Sequence, residues 1–175
     1  LYVFGPTFRR SPYSRELLAN LISGPSCVSL EYALGFHGLI PEYATTVTSI
    51  SVGARRAFAT PVGRFSYWPV PLRVFWIGIS RVTTPDGRAF LMATREKALC
   101  DTLVHARSIH ARSARQLEAV LADDLRLDFD EMASLDSAMI AELARRWPSR
   151  RLALLTDVVA RLAGAVRREV QTTHE

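Results

Sequence analysis

Between Thr45 and Ala93 the residue pattern changes period, and that change does most to limit the folds open to this chain. β-branched and aromatic residues dominate the runs TTVTSISV, RAFATPV, RFSYWPV, LRVFWIGISRVT and RAFLMA. Such residues suit a pleated, half-buried surface. Turn signals separate the runs at Gly53-Ala54, Gly63 and Pro85-Asp86-Gly87. The pattern predicts four or five strands over about 45–94, in a mostly antiparallel sheet. Its clearest hairpin is formed by 72–84 and 88–94.

On both sides of this block the spacing is helical. Ser11-Pro12 offers a cap followed by proline at the first helical position, and Leu17, Leu18, Leu21 and Ile22 then fall on one side up to Ser23. Ser29 is the expected N-cap of a second helix, with Glu31 in its first turn, facing the positive end of the dipole. That helix is expected to end at His37-Gly38, where Gly38 can take a left-handed cap and Pro41 follows. After Thr94 the pattern predicts helices over Thr94–Ala106, Ser113–Leu121, Asp130–Trp147 with a break near Ser134, and about Ser149–Val170. In the last of these Leu152, Leu155, Val159, Leu162 and Val166 form one stripe. Arg150, Asp157, Arg161 and Arg168 lie opposite, with Asp157 and Arg161 spaced to pair. Helices, then sheet, then helices make an α+β fold: a sheet flanked by N-terminal helices and a C-terminal helical subdomain.

A hydrophobic fraction of 49% against 22% charged residues is enough to bury the core of one domain in a 175-residue chain. No apolar run reaches the length of a membrane-spanning helix. Cys27 and Cys100 match no metal spacing and are expected as reduced, buried thiols, so a cytoplasmic protein is expected. The formal net charge of +5 favours acidic partners such as nucleic acid. The basic residues are 21 arginines and a single lysine, Lys97. Arg9, Arg10, Arg55, Arg56, Arg64, Arg150, Arg151, Arg161 and Arg168 are the candidates for phosphate contact, which would add affinity but no sequence choice.

The chain carries no phosphate loop, dinucleotide fingerprint, paired-cysteine motif or zinc-protease helix motif. His105 and His110, five positions apart, do not share a helix face, so they make a poor metal pair. His37 is better suited to bonding a carbonyl at its own helix end than to acting as a base. Asp123, Asp124, Asp128, Asp130 and Glu131 cluster between helices without the spacing of a calcium loop, and capping and solvation account for them. The strand region holds one acid, Asp86, whereas metal-dependent nucleases place acids on strands. No catalytic residue, metal or cofactor is expected.

Two segments match a family. SLEYALGFHGLIPE at Ser29–Glu42 resembles the segment that marks AbiEi-type antitoxins, transcriptional regulators of viral defence systems. Ser29, Leu30, Glu31, Ala33, Leu34, His37, Gly38, Leu39, Ile40, Pro41 and Glu42 all fit it. ATREKALCDTL at Ala93–Leu103 resembles a second stretch of that family through Ala93, Glu96, Lys97, Ala98, Leu99 and Asp101.

The resemblance implies an N-terminal winged helix-turn-helix that binds the operator, followed by a domain contributing to antitoxicity and repression. The implied partners are operator DNA and a cognate nucleotidyltransferase-like toxin, with homo-oligomers forming on DNA. On this reading 1–5 (LYVFG) is the end of a wing from a missing N-terminal domain. Residues 6–110 are the α+β antitoxin core, and 111–175 are the helical part of the same domain. Ser29, Glu31, His37, Gly38, Pro41, Glu96, Lys97 and Asp101 are expected to be structural. Lys97 would pin two elements, through Asp101 at i,i+4 or through Glu31. A nucleic-acid-processing or nucleotide-binding enzyme domain and a pure protein-interaction domain are the alternatives.

Overall fold

Ser14, three residues later than the Ser11-Pro12 signal suggests, caps the first helix, α1 (Arg15–Ile22). Its hydroxyl oxygen accepts from the Leu17 amide at 3.1 Å. The computed structural model describes Thr7, residues 12–42 and residues 44–172, without the side chains of Phe129 and of residues 166–172. The expected wing strand at 1–5 lies outside the described residues.

After α1 come β1 (Ser26–Val28), α2 (Leu30–Phe36), β2 (Thr46–Ser51), β3 (Arg56–Thr60), β4 (Gly63–Pro69), α3 (Leu72–Phe75), β5 (Ile79–Thr83) and β6 (Ala89–Ala93). The rest of the chain is α4 (Arg95–His105), α5 (Ala114–Asp123), α6 (Phe129–Ala133), α7 (Ser137–Arg146) and α8 (Arg150–Thr172). The fold is α+β, as the order of periods predicts. The sheet has six strands in the order β3-β4-β2-β1-β6-β5. It is mixed: β1/β2, β3/β4 and β5/β6 are antiparallel, while β2/β4 and β1/β6 are parallel.

Two differences from the sequence reading have clear causes. β1 has three residues between two helices, too few to show a period, yet it lies between β2 and β6. Both Cys27 and Val28 on it are fully buried. Within the strand block, 72–75 is a helical turn and not part of the hairpin. Proline at 69 and 71 removes two ladder donors, and the Pro71 carbonyl instead accepts from the amides of Val74 and Phe75 at 3.0 and 3.2 Å. The hairpin itself is β5/β6, closed at Gly87 (φ +81°), whose amide reaches the Thr84 carbonyl at 2.9 Å.

The two sheet faces take different helices. Tyr67 on β4 donates its hydroxyl to the Ala19 carbonyl of α1 at 2.7 Å, and its cross-strand partner is Ser49. Thr48, next along β2, points the other way and touches α2. α4 packs against α2, α7 and α8, so the C-terminal helices extend the core begun by the sheet. One hydrophobic cluster runs from Leu18 to Val159. In α8 Leu152, Leu155 and Val159 are buried and Arg150, Asp157 and Arg161 exposed, as the stripe predicts; Leu162 is half-buried, Val158, outside the stripe, is buried too, and the Val166 side chain lies outside the described residues. The expected Asp157–Arg161 pair is not formed; Arg161 pairs instead with Glu118 of α5, which packs alongside.

Candidate functional site

The two family-like segments meet in the core. Lys97 on α4 donates to Asp101 Oδ1 at 2.7 Å, and Ser29 donates from its hydroxyl to Asp101 Oδ2 at 2.7 Å. All three side chains are fully buried. A buried ion pair stands only when its remaining lone pairs are satisfied, and Ser29 supplies that third contact. Lys97 therefore pairs with Asp101 and not with Glu31. The lysine also lies 5.7 Å from the Trp147 ring centroid, and a Cβ on Gly78 would sit 2.8 Å from the Lys97 Cβ.

Because Ser29 spends its hydroxyl on Asp101, it does not cap α2 through its side chain. Thr48 of β2 does so in its place. Its hydroxyl accepts from the Tyr32 amide at 3.2 Å and donates to the Ser29 carbonyl at 2.6 Å. Leu30 turns the chain from Ser29 into α2 with φ +60° while remaining 1% exposed. A left-handed leucine costs about 1–2 kcal/mol, which the surrounding contacts must offset.

The far end of α2 closes as expected in part. Gly38 takes φ +76°; its amide bonds the Gly35 carbonyl at 3.1 Å, and the Leu39 amide bonds the Leu34 carbonyl at 2.9 Å. This is the paired closure of a left-handed glycine stop. His37 does not bond its own helix end. Its Nε2–H donates to the Ala93 carbonyl at 2.8 Å, tying α2 to the end of β6. Glu96 accepts from the Asp136 amide at 3.2 Å and so fastens α4 to the start of α7. Pro41 is exposed just beyond the α2 stop. In the acidic cluster, Asp128 caps α6 and Glu131 pairs with Arg95.

The candidate arginines are not brought together. Arg9 and Arg10 lie outside the described residues, as does the Arg168 side chain. Arg151 donates to the Leu103 and Val104 carbonyls at 2.8 and 3.3 Å, capping the end of α4. Arg150 donates to the Arg112 carbonyl at 2.9 Å, and Arg161 is engaged by Glu118. On the sheet, Arg56 and Arg64 are exposed near opposite ends of the β3/β4 ladder. Arg55 is exposed, with its guanidinium 3.7 Å above the Trp68 ring centroid.

Arg55 belongs to a groove of about 440 Å³ that sequence reasoning did not find. Glu31, Trp68, His105 and Arg107 also line it. These residues come from a turn, a helix start, a strand, the last residue of α4 and the loop after it, so no local motif announces it. His105 sits between Trp68 and Trp147, with centroids 5.2 and 5.7 Å away. Burial pushes its pKa down, opposed by the Asp101 charge, and its Nε2 is buried without a hydrogen-bond partner among the described residues.

Elsewhere, burial raises both thiols, Cys27 and Cys100, with Asp101 adding to the effect. Glu16 is raised by burial, but hydrogen bonds from Ser14 and Tyr32 outweigh that and hold it low. Among the described residues, no three His, Cys, Asp or Glu side chains gather as a metal site, and no helix is long and apolar enough to cross a membrane. The chain matches no family model, and no curated protein matches it.

Proposed function

We propose that this chain is the C-terminal regulatory domain of an AbiEi-type antitoxin, a non-enzymatic module of the cytoplasm. It would neutralise a nucleotidyltransferase-like toxin and assist operator binding by a winged helix-turn-helix preceding it. The observation that carries this reading is the convergence of Ser29 with Lys97 and Asp101. Two segments about seventy residues apart, each resembling that family, supply the members of one buried network. That the two stretches build one network supports reading them as parts of a single motif set.

In this role the motif residues build the domain, and partner contact falls to exposed groups. Among the described residues Arg55, Arg56 and Arg64 are the candidate arginines with neither an ion pair nor a backbone carbonyl to bond, Arg56 reaching only the Ser23 hydroxyl at 3.5 Å, so they are the phosphate contacts to test first. The full regulator carrying R55Q, R56Q and R64Q should bind operator DNA more weakly. The slope of log affinity against log salt should become shallower by about one for each phosphate no longer neutralised. Co-expression with the adjacent toxin should rescue growth. An unchanged salt slope removes the DNA role, and failure to rescue removes the antitoxin role.

Leu72 and Trp76, 61% and 62% exposed, favour a second reading as a protein-interaction domain without nucleic acid. A complex with the toxin that survives high salt and is lost in W76A would favour it.

A further inference from the structure

We infer that the groove between the β2–β3 turn and the loop after α4 is a binding site for a nucleoside phosphate. The inference stands apart from the antitoxin reading and does not depend on it.

Arg55 is held by the Trp68 indole at 3.7 Å, yet none of its N–H donors meets an acceptor among the described residues. A guanidinium fixed on an aromatic face keeps its fork of donors and has lost little freedom still to be surrendered on binding. One face is taken by the indole. Arg55 is exposed and lines the groove, so its opposite face is open to a further planar group. Nucleobases stack on arginine planes as they do on aromatic rings.

Arg107 is exposed in the same groove and has no ion pair or hydrogen bond among the described residues. It supplies the second positive charge, for phosphate oxygens. Glu31 lines the groove as well, and its carboxylate is likewise unpartnered among the described residues. A bare polyanion would be repelled by it. A ligand with both phosphate and hydrogen-bond donors, such as sugar hydroxyls or an exocyclic amine, satisfies all three side chains. His105, which also lines the groove, packs its ring against Trp68 with centroids 5.2 Å apart. The volume of about 440 Å³ falls in the usual range for small-molecule sites.

The test is calorimetric titration of the full chain with ATP, GTP, CTP and UTP, and with inorganic triphosphate, adenosine and a short DNA duplex. At least one nucleoside triphosphate should bind saturably, with inorganic triphosphate and adenosine each weaker by about tenfold or more. R55K keeps the charge but loses the planar stack, and R107Q loses the charge; each should raise Kd about tenfold. Both residues are exposed, so unliganded melting should not change. E31Q should weaken the nucleotide and strengthen inorganic triphosphate. Saturable nucleotide binding that R55K and R107Q leave unchanged overturns the proposal. So does inorganic triphosphate binding as tightly as any nucleotide, or binding of the duplex alone. This last outcome would leave the antitoxin reading intact.

Discussion

Lys97 is the only lysine in the chain and is fully buried. Its ammonium reaches Asp101 at 2.7 Å inside a fully buried site, with Gly78 backbone against its Cβ. Removing one partner of a buried pair leaves the other charge uncompensated, and K97M should cost about 3–5 kcal/mol in urea unfolding. K97R should also destabilise, because the larger planar fork must fit a fully buried site filled by an ammonium. D101L combined with K97M should cost much less than the sum of the single changes. An additive double variant would show that the pair is not coupled. The i,i+4 spacing made this pair legible in the sequence. The Ser29 hydrogen bond was not, because Ser29 occupies a capping position and only the tertiary fold brings Asp101 to it.

His105 belongs to the same scale and gives a pH dependence. Burial depresses its pKa, the Asp101 charge opposes this, and Lys97 and Arg55 add to the depression while the Pro69 carbonyl opposes it. The unfolded chain therefore binds the proton at a higher pH than the folded one. Stability held by neutral His105 is present above its unfolded pKa of about 6.5 and is lost as pH falls through that value toward the lower folded one. Melting midpoints from pH 8 to pH 5 should drop on the acid side, and H105Q should flatten that part of the curve. An H105Q profile parallel to the parent would assign the loss to other groups.

At the scale of elements, α2 shows how a short helix is fixed from outside. Seven residues are too few to form a stable helix alone. Thr48 caps its start, His37 ties its end to β6, and Gly38 and Leu39 close its last carbonyls. The stop at Gly38 was legible from sequence, since glycine followed by proline is a local signal. The cap from Thr48 and the strand β1 were not, since both depend on neighbours distant in sequence.

Two glycines test this account of the backbone. Gly38 has φ +76° and open space where a Cβ would stand, so G38A should cost only the left-handed conformation, about 1–2 kcal/mol. Gly78 has φ +68° and would also place a Cβ 2.8 Å from the Lys97 Cβ. G78A should therefore cost clearly more than G38A in chemical denaturation. Equal costs would mean that Lys97 relaxes freely, contrary to its close-packed position.

Across the whole molecule, sheet and C-terminal helices share one core. Leu99 and Leu103 on α4 and Leu117, Leu143 and Leu152 from the later helices lie in the same buried cluster. Polar contacts cross the same boundary. Glu96 holds the start of α7, Arg95 pairs with Glu131 on α6, and Arg151 caps the carbonyls that end α4. A chain cut after residue 110 would leave the apolar side of α4 in water and those carbonyls without their arginine. Exposure of several leucine-sized side chains costs about 1.5–3 kcal/mol each, enough to exhaust the stability of an ordinary domain. The full chain should therefore unfold in one cooperative transition, with far-UV and near-UV signals coincident, and the 1–110 fragment should lack a folded baseline. Two separated transitions, or a cooperative melt of the fragment, would show that the helical part is an independent unit and that α4 is stable without it.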